Sequence, residues 1–409
     1  MDLIIRNARL AGDVSGEPLD IGIAGGRIAT VGRDIAADAP AYDAKGLLAC
    51  PGLIETHIHL DKSRIIDRCA PQQRAKLSPV IGVTPLKKDM TVEDVHARAA
   101  QTLEQCILHG TTRMRTQVEV DPGIGLRGFE GVAALTAEYK WAIDIEICVF
   151  PQEGLISYPG TDELLIEALK RGVKVIGGAP RYDKDPAGQI ERIFELARDF
   201  DVDIDMHLDV GNTPDDMNIH QVRALTDRYK RGGRVVVGHM AKLSLLPPDQ
   251  FAAMARDLAD SGIAVTVLPA TDLFLMGRDQ DHSVRRGVAD ANLLMANGVT
   301  CSLSSNNVLN PATPYGDCSL IRVANLYANV LQLDRPAQLR ACFDMLTHSS
   351  ARLLNIKDYG FAIGNSADVV IINARTPEQA IAEIAQPLAA FKNGKQIVEW
   401  NLPRLIKPQ

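Results

Sequence analysis

His57 and His59, two residues apart in Glu55-Thr56-His57-Ile58-His59-Leu60-Asp61-Lys62, are the first side chains in this sequence that could share a chemical task. Side chains alternate between the faces of an extended strand, so two imidazoles at this spacing point the same way and can hold one ion. Such pairs are common by chance, and this one gains weight from its company. His207, His239 and Asn306 each follow a short apolar run of the kind that forms a buried strand. His57, His59 and His207 are therefore the candidate ligands of one divalent ion, zinc or iron, with Asn306 as a weaker oxygen donor. His239 is a candidate acid or base beside them. Asp209, two after His207, shares its facing if the strand stays extended, which makes it either a second acid/base group or a carboxylate that orients a ligand histidine. His96, His109, His220, His282 and His348 have no partners of this kind in the sequence.

The elements that must position these residues read as βα units. Eight apolar, β-rich runs alternate with segments of helical period: Gly52 to Thr56, Thr112 to Val120, Ile143 to Phe150, Val173 to Ala179, Val202 to Leu208, Arg234 to Gly238, Ile263 to Leu268 and Val299 to Ser304. The stretches Val92 to Leu108, Glu163 to Arg171, Gln189 to Phe200 and Pro248 to Ser261 carry the helical pattern. Eight repeats predict a closed (β/α)₈ TIM-type barrel, whose catalytic groups stand at the C-terminal ends of its strands. A doubly wound sheet is the rival, but it opens with a Gly-rich phosphate loop after its first strand, where this chain has the paired histidines. Alternating strand patterns before residue 50 and again after Asp368 predict a small β-sandwich-like domain built by both termini, residues 1–50 with 361–409, flanking a barrel over 51–360.

Composition narrows the partners. A chain of 409 residues that is 46% hydrophobic can bury a large core, and its formal net charge of -7 gives no general attraction to phosphate backbones. Nucleic acid is excluded on that ground. Neither a signal-peptide pattern nor a run of apolar residues long enough to span a bilayer is present, so no membrane association is expected. The seven cysteines are widely spaced and never form CxxC, which fits a reducing, cytoplasmic location.

The histidine segment, Phe150-Pro151-Gln152-Glu153-Gly154 with Ser157-Tyr158-Pro159, and the later Tyr359-Gly360 and Gly364-Asn365-Ser366-Ala367 together resemble the amidohydrolase superfamily. The similarity lies with the branch of bacterial cytosine deaminase and N-isopropylammelide isopropylaminohydrolase, over nearly the whole chain. It implies an ion held by His57, His59, His207 and the strand-eight position Asn306, a water oriented by His239, and a ring recognised by Gln152 with Phe150 and Asn306 nearby. It also implies a homo-oligomer. Two positions depart from cytosine deaminase. Val210 stands where that enzyme has its proton-shuttling glutamate, and Asn306 stands where it has an aspartate ligand and base. The implied activity is that of a mononuclear hydrolase acting on a C–N bond, or another leaving group, at an sp² carbon of a small nitrogen heterocycle. The alternative is a barrel that has lost hydrolysis and binds a heterocycle or a metal: Val210 and Asn306 favour it, whereas the four histidines and Gln152 favour hydrolysis.

Overall fold

The structure, a computed structural model, describes residues 1–13, 16–69, 81–401 and 403–407. Its centre is one parallel sheet in the order β6 (Leu53–Ile58), β7 (Thr111–Glu119), β8 (Asp144–Phe150), β9 (Val175–Ile176), β10 (Asp203–Leu208), β11 (Val235–His239), β12 (Ile263–Val267) and β13 (Cys301–Leu303). Each strand falls on one of the eight runs predicted from sequence. Strands such as β11 and β12 are buried along their whole length, as expected of parallel strands covered by helices outside and side chains inside.

The sheet closes on itself between β6 and β13. Ile58 bridges Asn306, with His59 N–H donating to Asn306 O and Asn306 N–H donating to His57 O, each at 2.9 Å. Just below, the Thr56 hydroxyl lies 2.8 and 2.6 Å from those of Ser302 and Ser304. The closing seam therefore carries His57, His59 and Asn306 on one shared piece of backbone.

Helices connect the strands: α1 (Val92–Leu108), α2 (Arg127–Glu138), α3 (Thr161–Lys170), α4 (Pro186–Phe200), α5 (Ile219–Tyr229), α6 (Pro248–Asp260) and α7 (Pro269–Leu275), with further helices after them. Local chemistry starts them. The Thr91 side chain accepts from Asp94 N–H to cap α1, and Asp185 accepts from Gly188 N–H ahead of Pro186 to open α4. On α1, Val95, Ala99, Leu103 and Cys106 turn inward at helical spacing.

A second sheet joins the two ends of the chain. β1 (Leu3–Leu10), β2 (Leu19–Ala24), β3 (Arg27–Gly32), β4 (Ala41–Asp43) and β5 (Leu48–Pro51) combine with β14 (Val369–Ile372), β15 (Pro387–Lys392) and β16 (Lys395–Glu399) in the order β16-β15-β14-β5-β1-β2-β3, with β4 on β1. Ile5, Ile21, Ile23, Ile28, Val369, Ile371 and Phe391 pack into its own apolar core, drawn from both halves of the path. Lys392 ties this sheet to the barrel: its buried ammonium lies 2.6 Å from Asp144 and 2.7 Å from Asp368. Among the described residues, no helix is long and apolar enough to cross a membrane.

Candidate active site

Three imidazoles meet at the C-terminal mouth of the barrel. His57 lies one residue before the end of β6, His59 follows the strand, and His207 lies one residue before the end of β10. His207 Nε2 is 3.1 Å from His57 Nε2 and 3.1 Å from His59 Nε2. A Cβ at Gly238 would lie 3.1 Å from His57 Cε1, so the bare backbone of β11 makes room for that ring. His57 and His59 are buried and His207 partly so. Burial pushes all three imidazoles below the usual histidine range, His59 and His207 well below it, which leaves them neutral with lone pairs to offer.

This donor set fits a divalent ion. Tetrahedral coordination at about 2.1 Å spaces two donors roughly 3.4 Å apart, close to the observed separations. The three donor atoms lie within 4.8 Å of one another, close enough to converge on a single ion. Behind His57, Asp205 Oδ1 lies 3.7 Å from Nδ1, and neither atom has a hydrogen-bond partner among the described residues. Arg115 holds the other oxygen of Asp205 at 3.1 Å. A carboxylate behind a ligand imidazole fixes its tautomer and raises its basicity, so Asp205 has the place of such a support.

The cluster faces a cavity lined by His59, His207, His239, Asn306, Gln152 and Lys62, together with Arg181, Asp209, Val210 and Ala312. His239, at the end of β11, places Nδ1 2.6 Å from Asp272 Oδ1 and Nε2 3.4 Å from Asn306 Nδ2. Both His239 and Asn306 have left-handed backbone, with φ of 74° and 59°, a conformation that concentrates at functional sites. Asn306 Oδ1 is buried and has no hydrogen-bond partner among the described residues. Gln152 Oε1 accepts from Lys62 Nζ at 3.1 Å, which leaves the Nε2 side of its amide as a donor.

Two sequence expectations are corrected. Asp209 does not share the facing of His207, because the strand stops at Leu208 and Asp209 turns to φ 54°. Its two oxygens accept from Asn218 N–H at 2.8 Å and Ile219 N–H at 3.1 Å, so it caps α5 and has no hydrogen bond to a ligand histidine. Phe150 is wholly buried and does not line the cavity. Its ring stacks on His207 at 4.6 Å and 21°, and it lies 5.4 Å from His59, backing the histidines from below.

Sequence reasoning missed Asp205, Asp272 and a cage of buried charge. Asp205 was detectable, since it alternates with His207 on β10. Asp272 lies four residues beyond an apolar run and had no spacing to mark it. In the cage, Lys62 pairs with Glu119, and Lys87 lies 2.7 Å from Glu119, 2.6 Å from Asp121 and 2.5 Å from Glu153. Burial alone would raise the Glu119 carboxyl, but the two ammonium groups hold it at about 2.

The amidohydrolase family model matches residues 83–398, more than half of the chain. The chain belongs to the amidohydrolase family. Over 408 residues it is 28% identical to N-isopropylammelide isopropyl amidohydrolase of Pseudomonas sp. strain ADP, covering 97% of both chains. It is 26% identical over 394 residues to a pterin deaminase of Rhizobium rhizogenes, covering 94% of this chain and 88% of that protein. Among solved structures, 5-methylcytosine deaminase from Klebsiella pneumoniae, liganded with 5-fluorocytosine, superposes with a TM-score of 0.93 at 26% identity over 99% of each chain. Family, barrel and histidine cluster agree on a metal-dependent hydrolase that uses a divalent ion. The reading as a barrel that only binds is not supported.

Proposed function

We propose that this amidohydrolase hydrolyses a C–N bond, or expels another leaving group, at an sp² carbon of a small nitrogen heterocycle. The observation that carries the reading is the convergence of His57, His59 and His207 through Nε2 on one point beside a cavity holding both His239 and Gln152. These three histidines would hold one zinc or iron ion, with Asn306 Oδ1, buried and unpartnered, as the weaker fourth donor. Bound there, the ion supplies Lewis acidity that makes water a nucleophile near neutral pH.

The chain's own residues supply the rest. His239 accepts the proton from water as its oxygen bonds to the ring carbon, and returns it to the departing nitrogen as the C–N bond breaks. Asp209, committed to capping α5, is not given that task. Gln152 donates from Nε2 to a ring oxygen or nitrogen, its orientation set by Lys62. The relatives are named for ammelide, pterin and methylcytosine chemistry, which supports a nitrogen heterocycle. We further read residues 1–50 with 361–409 as a small β domain around a catalytic barrel over 51–360, in a cytoplasmic homo-oligomer. Buried thiols such as Cys50, Cys148 and Cys301 are in keeping with a reducing compartment.

Turnover by metal-loaded wild type across triazines, pterins, pyrimidines and other cyclic amidines tests the assignment. Release of an amine or ammonia from at least one ring is expected. Cytosine itself should be a poor substrate, because Val210 and Asn306 replace two proton-handling carboxylates, each typically worth about 10² to 10⁴ in rate. Efficient cytosine deamination, or no turnover of any ring, would contradict the reading.

A further inference from the structure

We propose that Asp272 is the positioning carboxylate of this site, and that it compensates from behind His239 for the acid missing in front of it at Asn306. The inference rests on the hydrolase reading above.

Asp272 sits in the first turn of α7, its backbone N–H bonded to Leu268 O at 3.0 Å, and it is fully buried. Oδ1 lies 2.6 Å from His239 Nδ1. A carboxylate accepts and does not donate, so this contact makes Nδ1 the protonated nitrogen and leaves the Nε2 lone pair as the acceptor. Nε2 is on the working side: it lies 3.4 Å from Asn306, and the His239 ring centroid is 5.6 Å from that of His207 and 6.2 Å from that of His57.

The side chain of Asp272 is directed at His239. Among the described residues its Oδ2 has no hydrogen-bond partner, so the contact from Oδ1 to His239 Nδ1 is the one this carboxylate makes. Competing groups around the cavity are committed elsewhere. Asp209 caps α5, Lys62 pairs with Glu119, and Arg181 donates to Val210 O at 2.7 Å. Asn306 has an amide that takes up no proton. His239 with Asp272 is the pair placed to move one. As water's oxygen bonds to the ring carbon, its proton passes to Nε2, and Asp272 stabilises the resulting imidazolium without itself being protonated. Nε2 then returns the proton to the leaving nitrogen.

The test compares wild type, Asp272→Asn and Asp272→Glu, each loaded with zinc and labelled with ¹⁵N-histidine. In wild type, His239 should be the Nδ1–H tautomer with a strongly downfield ring proton, and Asp272→Asn should lose that signal while still binding one zinc per chain. On the best substrate of the panel, Asp272→Asn should lower kcat by about 10² to 10⁴ with little change in KM, and Asp272→Glu should recover part of the loss. An Nε2–H tautomer in wild type, or an unaltered kcat in Asp272→Asn, would overturn the assignment. A wild type inert toward every ring overturns the hydrolase reading instead, and the tautomer measurement judges Asp272 whatever the activity.

Discussion

Asn306 puts a neutral amide where the resemblance to cytosine deaminase implies a carboxylate. Its amide lines the same cavity as His59, His207 and His239, with Nδ2 3.4 Å from His239 Nε2 and Oδ1 buried and without a partner among the described residues. Putting a carboxylate there would flank His239 with acids on both sides, holding its proton in place and adding charge beside the ion. Asn306→Asp should therefore bind zinc more tightly yet lose on the order of tenfold or more in kcat/KM on the native substrate. Competition with a chelator and steady-state kinetics measure both effects. A variant with higher activity would show that the amide is a loss instead of an adaptation. The histidines were legible in the sequence because the i, i+2 rule survives at the end of β6. Asp209 was misread because the same rule fails one residue past the end of β10, where the backbone turns left-handed. Asp272 was invisible because only the turn into α7 brings it under His239.

At the scale of elements, the loop after β8 decides how Gln152 reaches the cavity. One residue braces it: Asp183 accepts from the backbone N–H groups of Leu155 at 2.6 Å, Ile156 at 2.9 Å and Ser157 at 3.1 Å, and from Gln189 Nε2 at 3.0 Å. A Cβ at Gly154, where φ is 119°, would lie 2.6 Å from Ser157 Oγ, so glycine is required at the bend. Burial alone would raise the Asp183 carboxyl, but hydrogen bonds from Gln189 and these backbone groups outweigh it and hold it at about 2. A carboxyl held below its unfolded value contributes stability above the ordinary aspartate range, and that contribution is lost as pH falls toward about 2. Asp183→Asn should lower the melting temperature at pH 7, raise KM more than it lowers kcat, and flatten the fall of stability with pH between about 4 and 2. Equal melting curves for variant and wild type across that window would contradict the bracing role. Strands such as β11 and β12 were readable, since full burial leaves an apolar run in each. β9 shrank to Val175–Ile176, just before Gly177 and Gly178, where glycine weakens a strand.

The whole molecule is an acidic barrel whose seam, formed where β6 meets β13, also carries two of the three clustered histidines, with a sheet from both termini locked to its side by Lys392. That architecture was legible because eight alternating units admit few closures, whereas the charge cage of Lys62, Lys87, Glu119 and Asp121 was not, since its members come from separate segments and pair only in three dimensions. The central claim is that His57, His59 and His207 hold one divalent ion on which hydrolysis depends. Metal analysis of purified wild type and of a His207→Gln variant, each before and after zinc or iron loading and each followed by the heterocycle panel, tests it most directly. One ion per chain and turnover are expected in wild type, with both lost in the folded variant. Stoichiometric metal retained by His207→Gln, or full turnover by metal-stripped wild type, would contradict it.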